Sequence, residues 1–122
     1  MTTPLALVFY EALMPGSQLV NRLQDLGYNV VVHTEASTLV EQAKECKPFL
    51  LVMDLASQND LNAVLRHLRQ TPETAHVPVL AFTKDGQEAR RLAAHEAGAT
   101  LVAGDAAMLA HLPQLLEQVL EV

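Results

Sequence analysis

Short apolar runs and amphipathic stretches alternate along the whole chain. The runs are Leu5–Tyr10, Val30–His33, Phe49–Met53, Val77–Phe82 and Leu101–Ala103. Each has the length of a strand, and several are continuously apolar, the pattern of parallel strands covered on both faces. The stretches between them change period. Leu19, Val20, Leu23 and Leu26 fall on one helical face, as do Leu61, Val64, Leu65 and Leu68, and later Leu115, Leu116, Val119 and Leu120.

Local punctuation agrees with these elements. Gly27 and Gly98 stand where helices should close in a left-handed residue before the next strand. Asp85 and Glu88 form an Asp-x-x-Glu capping box after Thr83 closes a strand, and Asn59 or Asp60 can cap the third helix. Pro78 is tolerable near a strand start, where a ladder donor can be missing. Pro113 marks the start of the last helix, after a looser turn over Asp105–His111. Repeated βα units of this kind predict one α/β domain over residues 1–122, a doubly wound five-stranded parallel sheet with right-handed crossovers and helices on both faces.

Composition narrows this further. Half the 122 residues are apolar but only 4% are aromatic and Trp is absent, so the core must be aliphatic. One cysteine, Cys46, rules out an intramolecular disulfide or a cysteine zinc cluster; it closes a predicted helix as a small hydrophobe. A formal charge of −6 argues against nucleic acid as a direct partner. The clusters Arg66–Arg69 and Arg90–Arg91 read as solvated helix charges. His33, His67, His76, His95 and His111 show no metal-ligand spacing, although His33 ends a strand. No signal peptide opens the chain and no apolar run spans a bilayer, so a cytoplasmic location without membrane contact is expected. Pro15-Gly16-Ser17 is no dinucleotide fingerprint.

In doubly wound sheets ligands bind beyond the carboxyl ends of the strands. The residues there are Tyr10 and Glu11, His33 and Thr34, Asp54–Ser57, Thr83–Gly86, and Gly104 and Asp105. With the segments Leu7-Val8-Phe9-Tyr10-Glu11, Leu26-Gly27-Tyr28, Lys47-Pro48-Phe49-Leu50-Leu51-Val52-Met53-Asp54, Pro78-Val79-Leu80-Ala81-Phe82-Thr83 and Ala97-Gly98-Ala99, nearly the whole chain resembles the receiver domain of bacterial two-component response regulators. The resemblance implies a flavodoxin-like (βα)5 fold with strand order 2-1-3-4-5. It places Asp54 on the phospho-acceptor position, where a strand-end carboxylate acts as nucleophile and a divalent metal neutralises the incoming phosphate. Thr83 falls on the hydroxyl that holds a phosphoryl oxygen; otherwise it is a strand-end capping residue.

The same comparison exposes departures. A weak Mg²⁺ site is implied at Glu11, Asp54 and the carbonyl of Ala56, but Tyr10 replaces the second carboxylate of the family's acidic pair and supplies no hard anionic oxygen. Val102 replaces the aromatic switch residue. Asp105 stands where the family places a lysine, so the attraction for the phosphoryl group is missing; it either becomes a repulsion, with two unit charges ~5 Å apart at an effective dielectric of 20 interacting by about 3 kcal/mol, or is softened where Asp105 turns away to cap the following helix. Lys84 can reach the same pocket from another loop or remain a solvated lysine.

The expectation is therefore an atypical stand-alone receiver, a pseudo-receiver. It is not an enzyme, has no certain cofactor, and works in two-component or phosphorelay signalling by binding a protein. That partner is a histidine kinase, another signalling protein or a second copy. By resemblance the face of the fourth helix, fifth strand and fifth helix docks it, through Arg90, Arg91, His95 and residues 105–112. Two readings stay open beside it. One is a working phospho-acceptor using Asp54, Mg²⁺, Glu11, Thr83 and Lys84. The other is a small doubly wound ligand-binding domain or enzyme, against which stand the missing phosphate loop and the lack of a nucleophile–base pair.

Overall fold

The computed structural model describes residues 4–10, 13–35, 38–55, 61–83, 88–104, 107 and 110–120. Strands and helices alternate: β1 (Leu5–Phe9), α1 (Leu13–Asp25), β2 (Asn29–His33), α2 (Leu39–Cys46), β3 (Leu50–Asp54), α3 (Leu61–Gln70), β4 (Val79–Thr83), α4 (Glu88–Ala97), β5 (Leu101–Gly104) and α5 (Leu112–Leu120). All strand pairs are parallel and the order is β2-β1-β3-β4-β5, so the order reverses at β1 and β3.

The period-2 alternation of the strands builds two apolar layers. Leu7, Phe9, Leu51, Met53, Val79 and Ala81 meet α2, α3 and α4 on one face. Ala6, Val8, Leu50, Val52, Leu80 and Phe82 meet α1 and α5 on the other. β3 and β4 are buried at every position, which explains why their sequences are apolar without alternation. β2 lies at the edge, and its residues are only partly covered or exposed.

Helix ends follow the glycines. After α1, Gly27 (φ +95°) donates its N–H to Gln24 O at 3.0 Å and Tyr28 donates to Leu23 O at 3.1 Å, the paired bonds of a Schellman cap. Gly98 (φ +135°) and Ala99 close α4 in the same way on His95 O and Ala94 O. α2 ends differently: Lys47 takes the left-handed conformation (φ 49°) and donates to Ala43 O at 3.0 Å.

Three expectations need correction. Leu26 does not share the buried face of Leu19 and Leu23; it sits in the cap beyond α1 and is 44% exposed, because the turn into Gly27 swings it off the helix. Arg69 is not a solvated helix charge. Its Nε donates to Gly98 O (2.8 Å), Nη1 to Ala75 O (2.9 Å) and Val77 O (2.7 Å), and Nη2 to Thr100 Oγ1 (3.1 Å). Strand boundaries move by a residue or two: β3 starts at Leu50, leaving Phe49 exposed, and β4 starts at Val79, after Pro78. Pro113 occupies the second position of α5, where a missing N–H breaks no helical bond. Asn59, Asp60 and Asp85, named as caps, lie outside the described residues.

Candidate functional site

The carboxyl edge of the sheet gathers the chemistry-bearing residues. Asp54 is the last residue of β3 and Thr83 the last of β4; Asp54 pairs in register with Phe82, and Thr83 with Gly104. Both side chains are buried, Asp54 at 2% and Thr83 at 1% exposure. Burying a carboxylate is costly unless polar partners receive it, and among the described residues no buried side-chain polar atom lacks a hydrogen-bond partner. The backbone continues the ladder past the acid: Leu55 donates its N–H to Phe82 O at 2.8 Å.

Tyr10 follows the Phe9–Met53 register pair, so it stands level with Asp54 on the neighbouring strand. Its ring is half-buried against the apolar layer under α1 and α5, with Val8, Phe82 and Leu112. Val102 is half-buried on the opposite layer, under α4. His33 makes a 2.8 Å hydrogen bond between its Nε2 and Thr38 Oγ1, a local tie from the end of β2 to the start of α2.

The helix α4 brings cations to this edge. Arg90 Nη1 donates to Leu55 O at 2.7 Å. Arg91 donates to Glu88 Oε1 and to Val102 O, each at 3.3 Å. Arg90 is an exposed helix charge that also binds Leu55 O, whereas Arg91 is only partly exposed and ties α4 to β5. His95 is exposed in the last turn of α4. Beside it Leu92 is 61% exposed, an apolar side chain that the helical spacing of the sequence did not single out.

Glu11, Ala56, Lys84 and Asp105 lie outside the described residues, as does most of the segment 105–112 before His111. Around Asp54 the described part of the edge offers a hydroxyl at Thr83 and an aromatic ring at Tyr10, whereas Mg²⁺ requires an octahedron of hard oxygens. Among the described residues no group of three or more His, Cys, Asp or Glu side chains could hold a metal ion.

Other features lie away from this edge. A cavity of about 480 Å³ at the amino end of the strands is lined by Leu5, Lys47, Phe49, His76 and Pro78, and a second of about 200 Å³ by Arg69, His76 and Thr100. Burial raises the Tyr28 phenol above its usual pKa and lowers that of the Arg69 guanidinium. No helix among the described residues is long and apolar enough to cross a membrane.

The fold recurs in solved structures. The receiver domain of a sensor histidine kinase from Pseudomonas aeruginosa, which holds a magnesium ion in its active-site cleft, superposes with a TM-score of 0.86 at 19% identity, over 99% of this chain and 100% of that one. A LuxR-family two-component response regulator from Aurantimonas gives 0.84 at 25% identity, over 98% and 86%. A response regulator from Desulfuromonas acetoxidans gives 0.79 at 18%, over 96% and 95%. The chain has the receiver fold. The flavodoxin-like order 2-1-3-4-5 is the one expected from the resemblance. No family model and no curated protein sequence matches the chain.

Proposed function

We propose that residues 1–122 form an atypical receiver module, a pseudo-receiver of two-component or phosphorelay signalling that acts in the cytoplasm by binding another protein. One observation carries this reading most directly. The position level with Asp54 on β1, where a receiver's second metal-site carboxylate belongs, holds the ring of Tyr10 packed into an apolar layer. An aromatic ring there supplies no hard anionic oxygen to a cation. The sequence adds Asp105 in place of the lysine that would pair with a phosphoryl group, one residue beyond Gly104, which pairs with Thr83.

Signal output then rests on the surface of α4. Leu92 and His95 face solvent there, and Arg90 ties the same helix to the carbonyl of Leu55, next to Asp54. A partner docking on α4 therefore acts one hydrogen bond away from Leu55, the chain neighbour of the buried acid. Arg91 contributes through Val102 O on β5.

The buried Asp54 and Thr83 favour a second reading, a working phospho-acceptor. Incubation with Mg²⁺ and a small-molecule phosphodonor, followed by intact-mass measurement, separates the two. The pseudo-receiver gives no adduct. A phosphate adduct that disappears in Asp54→Asn would establish the second reading instead.

A further inference from the structure

The edge strand β2 carries Asn29-Val30-Val31-Val32-His33, a run with no Lys, Glu, Asp or Pro. Edge strands ordinarily carry such residues, because an unpaired row of N–H and C=O groups is a template for another strand. The register shows which groups are unpaired. Asn29 donates its N–H to Pro4 O at 2.9 Å, and His33 O accepts from Tyr10 N at 3.4 Å, so Asn29, Val31 and His33 turn their backbone groups toward β1. In a parallel ladder the intervening residues turn theirs the other way. Val30 and Val32 thus present N–H and C=O outward, away from β1. Val32 is also 40% exposed, an apolar side chain only partly covered.

The sequence of this strand is symmetric about Val31: a polar residue, three valines, a polar residue. We propose that β2 is a self-pairing edge, binding β2 of a second copy antiparallel about a two-fold axis at Val31. In that register Val30 of one copy faces Val32 of the other, and each such pair exchanges both backbone hydrogen bonds. Asn29 falls opposite His33, so no like charges oppose each other within the strand. On the α1 and α5 face, the exposed Val32 packs beside Val30 of the second copy, which itself leans on that layer. Two five-stranded sheets become one continuous sheet. The proposal does not depend on the state of Asp54, which lies on another strand.

A contact one strand wide is small, so the association is weak, with a dissociation constant of about 10 µM to 1 mM. Each copy carries a formal charge of −6, and added salt strengthens the dimer by screening that repulsion. Sedimentation equilibrium from about 10 µM to 1 mM tests it, on the native chain and three variants. Val32→Pro removes an outward N–H without touching a bond to β1, and Val32→Lys places a charge on the edge. Leu92→Glu probes α4 instead. Circular dichroism verifies that each variant is folded, and Val32→Lys carries the test if the proline unfolds the strand. The expected result is self-association in the native chain and in Leu92→Glu, weakened at least about tenfold in the Val32 variants. A native chain monomeric throughout, or a dimer lost in Leu92→Glu but kept in Val32→Lys, would overturn it.

Discussion

Arg90 reaches from α4 to the carbonyl of Leu55, with Nη1 2.7 Å from the oxygen, and so fastens the helix to the residue that follows Asp54. A helix surface and a buried acid are thereby joined through a single side chain. Hydrogen bonds from a charged donor contribute about 1.5–3 kcal/mol when buried, and Arg90 is exposed, so Arg90→Ala should cost at the low end, about 1 kcal/mol. The more specific outcome is local. Amide resonances of Asp54 and Leu55 should shift in this variant while those of β2, at the far edge, stay in place. If Asp54 and Leu55 do not respond, α4 is not coupled to the acid by this contact.

Arg69 acts at the other end of the sheet and for stability. Its guanidinium binds the carbonyls of Gly98, Ala75 and Val77 and the hydroxyl of Thr100, joining the end of α3 to the loops that enter β4 and β5. Removal strands several half-buried acceptors at once. Arg69→Met should destabilise the fold by about 2–4 kcal/mol in urea titration. Lysine keeps the charge but not the planar fork of donors, so Arg69→Lys should recover less than half of the loss. Full recovery by lysine would show that charge, not geometry, matters here.

Three cap positions should rank by what surrounds them. A Cβ on Gly98 would meet Arg69 Cγ at 2.6 Å, and its φ of +135° already excludes ordinary side chains. Gly27 has the same backbone constraint (φ +95°) with nothing within 4 Å of an added Cβ. Gly98→Ala should therefore cost about 2–3 kcal/mol and Gly27→Ala about 1 kcal/mol. Lys47, left-handed without being glycine, is the reverse case, and Lys47→Gly should stabilise by about 0.5–1 kcal/mol. Thermal or urea unfolding of the three variants checks the order; a Gly27→Ala loss equal to that of Gly98→Ala would remove the role given to Arg69.

The fold was legible in the sequence because parallel strands leave an unusual mark. β3 and β4 are covered on both faces, so Leu50–Asp54 and Val79–Thr83 are apolar almost without a break, and no amphipathic helix imitates that. Gly27 and Gly98 fixed two helix ends, since only glycine enters those backbone regions freely. Leu26 misled, because helical spacing alone does not reveal where a cap turns a side chain outward. Arg69 misled for another reason. A cation satisfied by backbone carbonyls, with no acidic partner nearby in sequence, looks like any surface arginine until the loops are folded around it. At the site, Asp54 and Thr83 were readable as strand ends, and Tyr10 as a departure. That the Tyr10 ring joins an apolar layer depends on α1 and α5, which pattern alone did not bring together.

Tyr10 and Asp105 are also where the proposed loss of phosphoryl chemistry can be reversed. Tyr10→Asp restores a second carboxylate level with Asp54 but removes a ring from the layer under α1 and α5, at a cost of about 1–3 kcal/mol. Asp105→Lys replaces an anion with a cation at the position that follows Gly104. At an effective dielectric near 20, a sign change at ~5 Å swings the interaction with a bound phosphoryl group by up to about 6 kcal/mol before screening. Neither change suffices alone, because metal and anion neutralise different charges. The double variant, given Mg²⁺ and a small phosphodonor, should gain a phosphate adduct by intact mass that either single variant lacks, and a further Asp54→Asn change should abolish it. Beryllofluoride with Mg²⁺ should likewise raise the melting temperature of the double variant and leave the native chain unchanged. If the double variant folds and still takes no phosphate, Tyr10 and Asp105 are not what disables the acid.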